Sequence, residues 1–167
     1  MIPTSVSKYS QPNPFDYPER KWPSRSITKS PMWVSVDLRD GNQALPNPLN
    51  PWQKLEYFKL LCQIGFKTIE VAFPSASQDD FDFTRRLIDE DLIPEDVFIM
   101  ALTQCREHLI ERTFDAINGI RQAIFHAYLA TSDLHIRQVF DLTPKQAVQV
   151  AIQSISQIRM EIGRAHV

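Results

Sequence analysis

The chain is short of several things that would mark a specialised fold. It holds two cysteines in 167 residues, Cys62 and Cys105. They share no CxxC spacing and fall on segments expected to be helical, so both read as reduced thiols of a cytoplasmic protein. No apolar run approaches the roughly 20 residues of a membrane span. The start of the chain has no signal-peptide core; it carries Asp16 and Glu19 and is crowded with prolines. Net charge is −2 with acids and bases interspersed, which argues against a nucleic-acid surface or an anionic-membrane anchor. No GxGxxG follows the first expected strand and no GxxxxGKS/T occurs anywhere, so phosphate-cradling nucleotide folds are poorly supported. His126 has no second histidine at ligand spacing; His108 and His135 lie on a helix and further down a loop.

What is present is an ordinary globular composition, 43% hydrophobic and 23% charged, in a chain long enough for one domain with a real core. Residues 1–32 contain six of the twelve prolines and read as an irregular arm, anchored by Tyr9, Phe15, Tyr17 and Trp22. From Trp33 a repeating pattern begins. Strands are expected at Trp33–Asp37, Lys67–Phe73, Val97–Leu102 and Gln122–Leu129. Helices are expected between them, the first capped by Asn50 with Pro51 at its first position and closed by Gly65. Further helices are expected from about Gln78 to Asp91, from Arg106 to Asn118, and from Thr143-Pro144 onward, the last with Ala147, Val150, Ala151, Ile155 and Ile158 on one stripe.

The fold class is therefore α/β. About four β/α units imply a parallel sheet covered by helices with right-handed crossovers. They could form a small open sheet or half of an eight-stranded barrel, which needs about 250 residues when complete. Gly163 is expected to interrupt the last helix. Residues 162–167 match a translation of a common sequencing-adapter read (ATC GGA AGA GCA CAC GTC) and are expected to be a non-native tail, which the source nucleotides would decide.

Polar clusters fall at the C-terminal ends of the strands, where β/α folds place their sites. The densest is Asp37-Leu38-Arg39-Asp40-Gly41-Asn42-Gln43. Asp40 is a hard oxygen donor, though one carboxylate is only part of a metal's ligand set. Arg39 can bind a carboxylate or stabilise a developing oxyanion; it can equally pair with Asp40 or Glu70. Both charges reach one site only if the strand turns after them, and Gly41 makes that turn plausible. Glu70 is a carboxylate inside an apolar strand and needs a partner, for which Arg39 is the candidate. His126 is either a satisfied core histidine or a catalyst near the functional edge. Thr131 and Ser132 can bind a substrate carboxylate or cap the last helix.

Ser35-Val36-Asp37-Leu38-Arg39-Asp40-Gly41-Asn42-Gln43 resembles the opening motif of the 2-isopropylmalate synthases. These belong to a superfamily of metal-dependent TIM barrels that also contains homocitrate and citramalate synthases and hydroxymethylglutaryl-CoA lyase. Trp22-Pro23-Ser24, Gly65-Phe66-Lys67, Phe73-Pro74-Ser75-Ala76-Ser77-Gln78, Leu102-Thr103-Gln104 and His126-Ala127-Tyr128-Leu129-Ala130-Thr131-Ser132 are similar to the longer, fungal-like and proteobacterial class. The resemblance runs from about Lys8 to Glu161. It implies the first half of a TIM (β/α)8 barrel over residues 33–161, preceded by the Pro-rich N-terminal arm.

The resemblance also implies an acyltransferase of leucine biosynthesis that condenses acetyl-CoA with 3-methyl-2-oxobutanoate. By carry-over, Arg39 is catalytic, Asp40 is a ligand of a divalent metal (usually Mg2+, with Mn2+ or Zn2+ as alternatives), and Gln43, Glu70, His126 and Thr131 bind substrate. The intact enzyme is expected to be a homodimer with no nucleic-acid or membrane partner. Another acyl-CoA-condensing or cleaving member of the superfamily, or a non-catalytic β/α module, are the other readings. The family's His-x-His metal pair and the second half of its barrel fall beyond residue 167.

The 167-residue chain alone is accordingly expected neither to bind metal tightly nor to condense substrates. Thiol release from acetyl-CoA that depends on added 3-methyl-2-oxobutanoate, measured on this chain, would refute that.

Overall fold

In a computed structural model, the structure describes Glu19 and residues 29–164, with side chains to residue 162. The chain divides into two compact units, Met1–Met32 and Trp33–Val167. The expected arm lies almost wholly outside the described residues, as do residues 165–167 of the expected tail.

The second unit runs β1 (Val34–Ser35), a π-helical turn (Asp37–Gly41), α1 (Pro51–Ile64), β2 (Thr68–Ala72), α2 (Gln78–Asp89), β3 (Phe98–Gln104), α3 (Glu107–Ile117), β4 (Ala123–Tyr128), α4 (Asp133–Gln138) and α5 (Pro144–Arg164). The four strands are parallel and lie in the order β1-β2-β3-β4. A doubly wound sheet reverses its strand order at a switch point; this one does not. Right-handed crossovers in a sequential sheet put every helix on the same face. The result is four consecutive β/α units arranged as half of a (β/α)8 barrel.

The core sits between sheet and helices. Leu55, Phe58 and Leu61 of α1 meet Ile69 and Val71 of β2, Phe83 and Leu87 of α2, and Ile99 of β3. Residues of the other face pair across the strands in the register Glu70–Met100–Ile124, Leu102–His126 and Gln104–Tyr128. That face is the more open: Phe98 and Tyr128 are exposed.

Local signals explain the element boundaries. Asn50 caps α1 in a reciprocal box with Gln53. Gly65 closes α1 at φ 106°, a left-handed conformation that side chains disfavour. Ser77 caps α2 and Ser132 caps α4. Thr143 forms a second capping box, with Gln146, ahead of α5.

Several expectations are corrected. β1 is two residues long because Val36 already gives its carbonyl to the turn, accepting from the amides of Arg39, Asp40 and Gly41. Gly41 is not in the left-handed region, and the π-helical winding, rather than glycine's freedom, turns the chain. Cys105 lies in the bend between β3 and α3, and His135 in α4. Ser132 serves α4, a short helix whose six residues are too few for a periodic signal. On α2, Phe83 and Leu87 are buried, while Phe81 lies under the Arg112 guanidinium, 4.5 Å from its ring centre. On α5 the buried stripe is Ala147, Ser154 and Ile158, while Ile155 is exposed; the Ser154 hydroxyl is hydrogen-bonded to Cys105. The helix passes through Gly163 to Arg164 rather than stopping before it.

Two glycines should respond oppositely to alanine. Gly65→Ala forces a Cβ into a left-handed position and should destabilise by about 1–2 kcal/mol. Gly41→Ala should be near neutral, since its Cβ would lie 3.7 Å from that of Asp37. Chemical denaturation of the two variants checks both.

Candidate active site

The site begins with one buried carboxylate. Glu70 stands mid-strand on β2, on the face away from the helices, and its side chain is fully inaccessible. Such a group must have its oxygens satisfied. Nε and Nη2 of Arg39 donate to its Oε2 at 2.8 and 2.6 Å. His126 Nδ1, from β4, lies 2.6 Å from its Oε1. An ionised carboxylate only accepts, so Nδ1 carries the proton of this bond and Nε2 takes no part in it; the side chain is 42% exposed.

The π-helical turn is what brings Arg39 in. It rotates Leu38 into the core and Arg39 over Glu70, and leaves Asp40 toward solvent. Arg39 Nη1 donates to Asp40 Oδ1 at 2.9 Å, so the guanidinium serves two carboxylates, and both ion pairs open to it in the sequence are made. It has five N–H groups; three are used in these bonds, and the remaining two can meet a substrate oxygen. The turn is braced from below. Ser35 donates to Asp37 at 2.6 Å. The Tyr57 hydroxyl bonds Asp37 as well, and burial together with that carboxylate pushes its pKa above the ordinary tyrosine value. Asn42 accepts the Leu49 amide at 2.7 Å, folding the following loop back.

A model of the HMGL-like family matches residues 30–165. The chain belongs to the HMGL-like family. It is 57% identical over 138 residues to a 2-isopropylmalate synthase of Kineococcus radiotolerans, covering 83% of this chain and 24% of that protein. With the 2-isopropylmalate synthase of Clostridium acetobutylicum it shares 51% over 140 residues, covering 84% and 25%. With that of Saccharomyces cerevisiae it shares 49% over 162 residues, covering 95% and 25%. The chain thus spans about a quarter of the length of the curated relatives it matches.

In this HMGL-like chain, Arg39, Asp40, Glu70 and His126 are brought together. Gln43 lines a cleft of about 580 Å³ beside Arg39, between the turn and the loop after β2. Thr131 is exposed on the loop after β4 and takes no part in the contacts joining the other four. Among the described residues, no group of three or more His, Cys, Asp or Glu side chains is arranged to hold a metal ion. Asp40 offers one donor where a divalent ion needs several, so the described residues do not by themselves fit the metal that the sequence resemblance implies.

Lys54 and Asp80 are not among the residues singled out in the sequence, yet both line the same cleft. Lys54 is 4% exposed. Its signal was available: Lys54, Phe58 and Leu61 are spaced i, i+4, i+7, which places a lysine on the buried stripe of α1.

Glu70→Ala would strand Arg39, whose side chain is only 17% exposed. Breaking a buried pair costs about 3–5 kcal/mol, so its denaturation midpoint should fall accordingly, whereas Asp40→Ala should cost under about 1 kcal/mol.

Proposed function

We propose that this chain is the first half of the catalytic barrel of a 2-isopropylmalate synthase. The reaction joins the methyl carbon of acetyl-CoA to the ketone carbon of 3-methyl-2-oxobutanoate; water then cleaves the thioester, giving 2-isopropylmalate and CoA. The observation that carries this is the Arg39–Glu70–His126 cluster, at the carboxyl edge of the sheet, in a chain whose relatives bear that name.

The cluster suits the chemistry. Negative charge develops on the ketone oxygen as the new bond forms, and the two remaining Arg39 N–H groups are donors for it. They are held in place before the reaction by Glu70, so no reorganisation is needed. His126, oriented through Nδ1, presents Nε2 to hold or pass a proton at the same place. Gln43, which lines the cleft beside Arg39, and Thr131 would contact substrate. Asp40 would supply one carboxylate to a divalent ion, magnesium being the natural choice for oxygen donors and manganese or zinc the alternatives. The other ligands would come from the rest of the protein.

The intact enzyme would act as a cytoplasmic homodimer. Among the described residues no helix is long and apolar enough to cross a membrane.

CoA thiol release by the full-length protein, compared across 2-oxo acids, tests the reading. The highest kcat/KM is expected with 3-methyl-2-oxobutanoate, and Arg39→Lys should lower kcat by ~100-fold. A higher kcat/KM with pyruvate or 2-oxoglutarate, or no dependence on a 2-oxo acid, contradicts it.

A further inference from the structure

Outside the cluster, the most constrained polar group of the described residues is the pair formed by Lys54 of α1 and Asp80 of α2. Lys54 Nζ is 2.6 Å from Asp80 Oδ1 and lies 4.9 Å from the centre of the Phe83 ring. Asp80 spends its other oxygen on the backbone, accepting the Phe73 amide at 2.9 Å.

That second bond is informative. Phe73 is the residue at which the chain leaves β2, three positions after Glu70. The register of β2 against β3 slips between Glu70 and Ala72 and resumes with Ala72 opposite Ala101, so Phe73 lies just past the last pair of the ladder. Asp80 takes over where the ladder ends. A closed path of contacts results. Glu70 holds Arg39, and the loop after Arg39 leads into α1. Lys54 of α1 holds Asp80, and Asp80 holds the backbone just beyond Glu70.

We propose that Asp80 is a positioning residue for the reaction: the oxygen it offers to the Phe73 amide fixes where β2 ends, and so the placement of Glu70 against Arg39 and His126, while Lys54 balances its charge. Neither residue need touch substrate. The proposal rests on the synthase reading and adds to it two residues that act at a distance from the reacting atoms.

The test uses two double variants of the full-length protein, each with both charges removed so that neither leaves a buried ion unpaired. Lys54→Met with Asp80→Asn keeps an oxygen for the Phe73 amide; Lys54→Met with Asp80→Leu deletes it. Thermal melts establish that both fold, and Asp80→Ala replaces the leucine if that variant does not. The asparagine variant should keep kcat within about threefold of wild type. The variant lacking the acceptor should lose ~10- to 100-fold in kcat, as small misplacements of catalytic groups do, with KM for the 2-oxo acid within about threefold. Faster hydrogen exchange at the Phe73 amide should accompany that loss. Equal kcat in two folded variants overturns the proposal, as does a loss that tracks melting temperature alone. A wild-type protein without 2-oxo-acid-dependent thiol release would instead overturn the synthase reading. Amide exchange at Phe73 and at Glu70 would then decide the positioning claim by itself: unchanged exchange in the acceptor-deleted variant refutes it.

Discussion

The ionised carboxylate of Glu70, shut away from water, is the constraint on which the rest of the site depends. A charge in that position is costly unless both oxygens are engaged. Oε2 is held by the Arg39 fork and Oε1 by the His126 ring. The two partners come from the turn after β1 and from β4, with β3 lying between Glu70 and the histidine. The contact therefore requires a sequential parallel sheet whose side chains converge on the face turned away from the helices. The same carboxylate settles the chemistry of its partners. It fixes which histidine nitrogen bears hydrogen, and it aims a guanidinium with two N–H groups to spare.

Membership of the HMGL-like family and the sequential four-stranded sheet agree with each other. In such folds the carboxyl ends of the strands carry the chemistry, and Arg39, Asp40, Glu70 and His126 all gather at or near that edge. The opposite side of the sheet is committed to packing, with α1 and α2 filling it through Phe58, Phe83 and Leu87. Stability and chemistry are thus divided between the two faces, and the Lys54–Asp80 pair is where they meet. Lys54 is buried among the packing helices, and a carboxylate oxygen of the partly exposed Asp80 reaches the backbone that carries the site.

The fold was legible because its signals are local. Asn50-Pro51 marks a helix start and Gly65 a left-handed stop, and both appear where the sequence places them. Glu70 was legible as a charge in an apolar strand, and Arg39 as its partner. What remained hidden depends on geometry that no local pattern encodes. The π-helical turn arises from three amides sharing the Val36 carbonyl, and Gly41 drew attention away from it. Ser154 looks polar and Ile155 apolar, yet the serine is buried and the isoleucine exposed, which hydropathy alone does not encode. Lys54 went unseen because a lysine on a helix is normally solvated. Only its position on the apolar stripe gave it away, and its partner lies 26 residues further on.

Long-range 15N–1H correlation of the His126 imidazole in the full-length protein tests the central claim most directly. The account predicts a protonated Nδ1 with a downfield, slowly exchanging proton, which Glu70→Gln broadens or shifts while the fold is kept. An Nδ1 without a proton, or an imidazole signal indifferent to the Glu70 substitution, would contradict it.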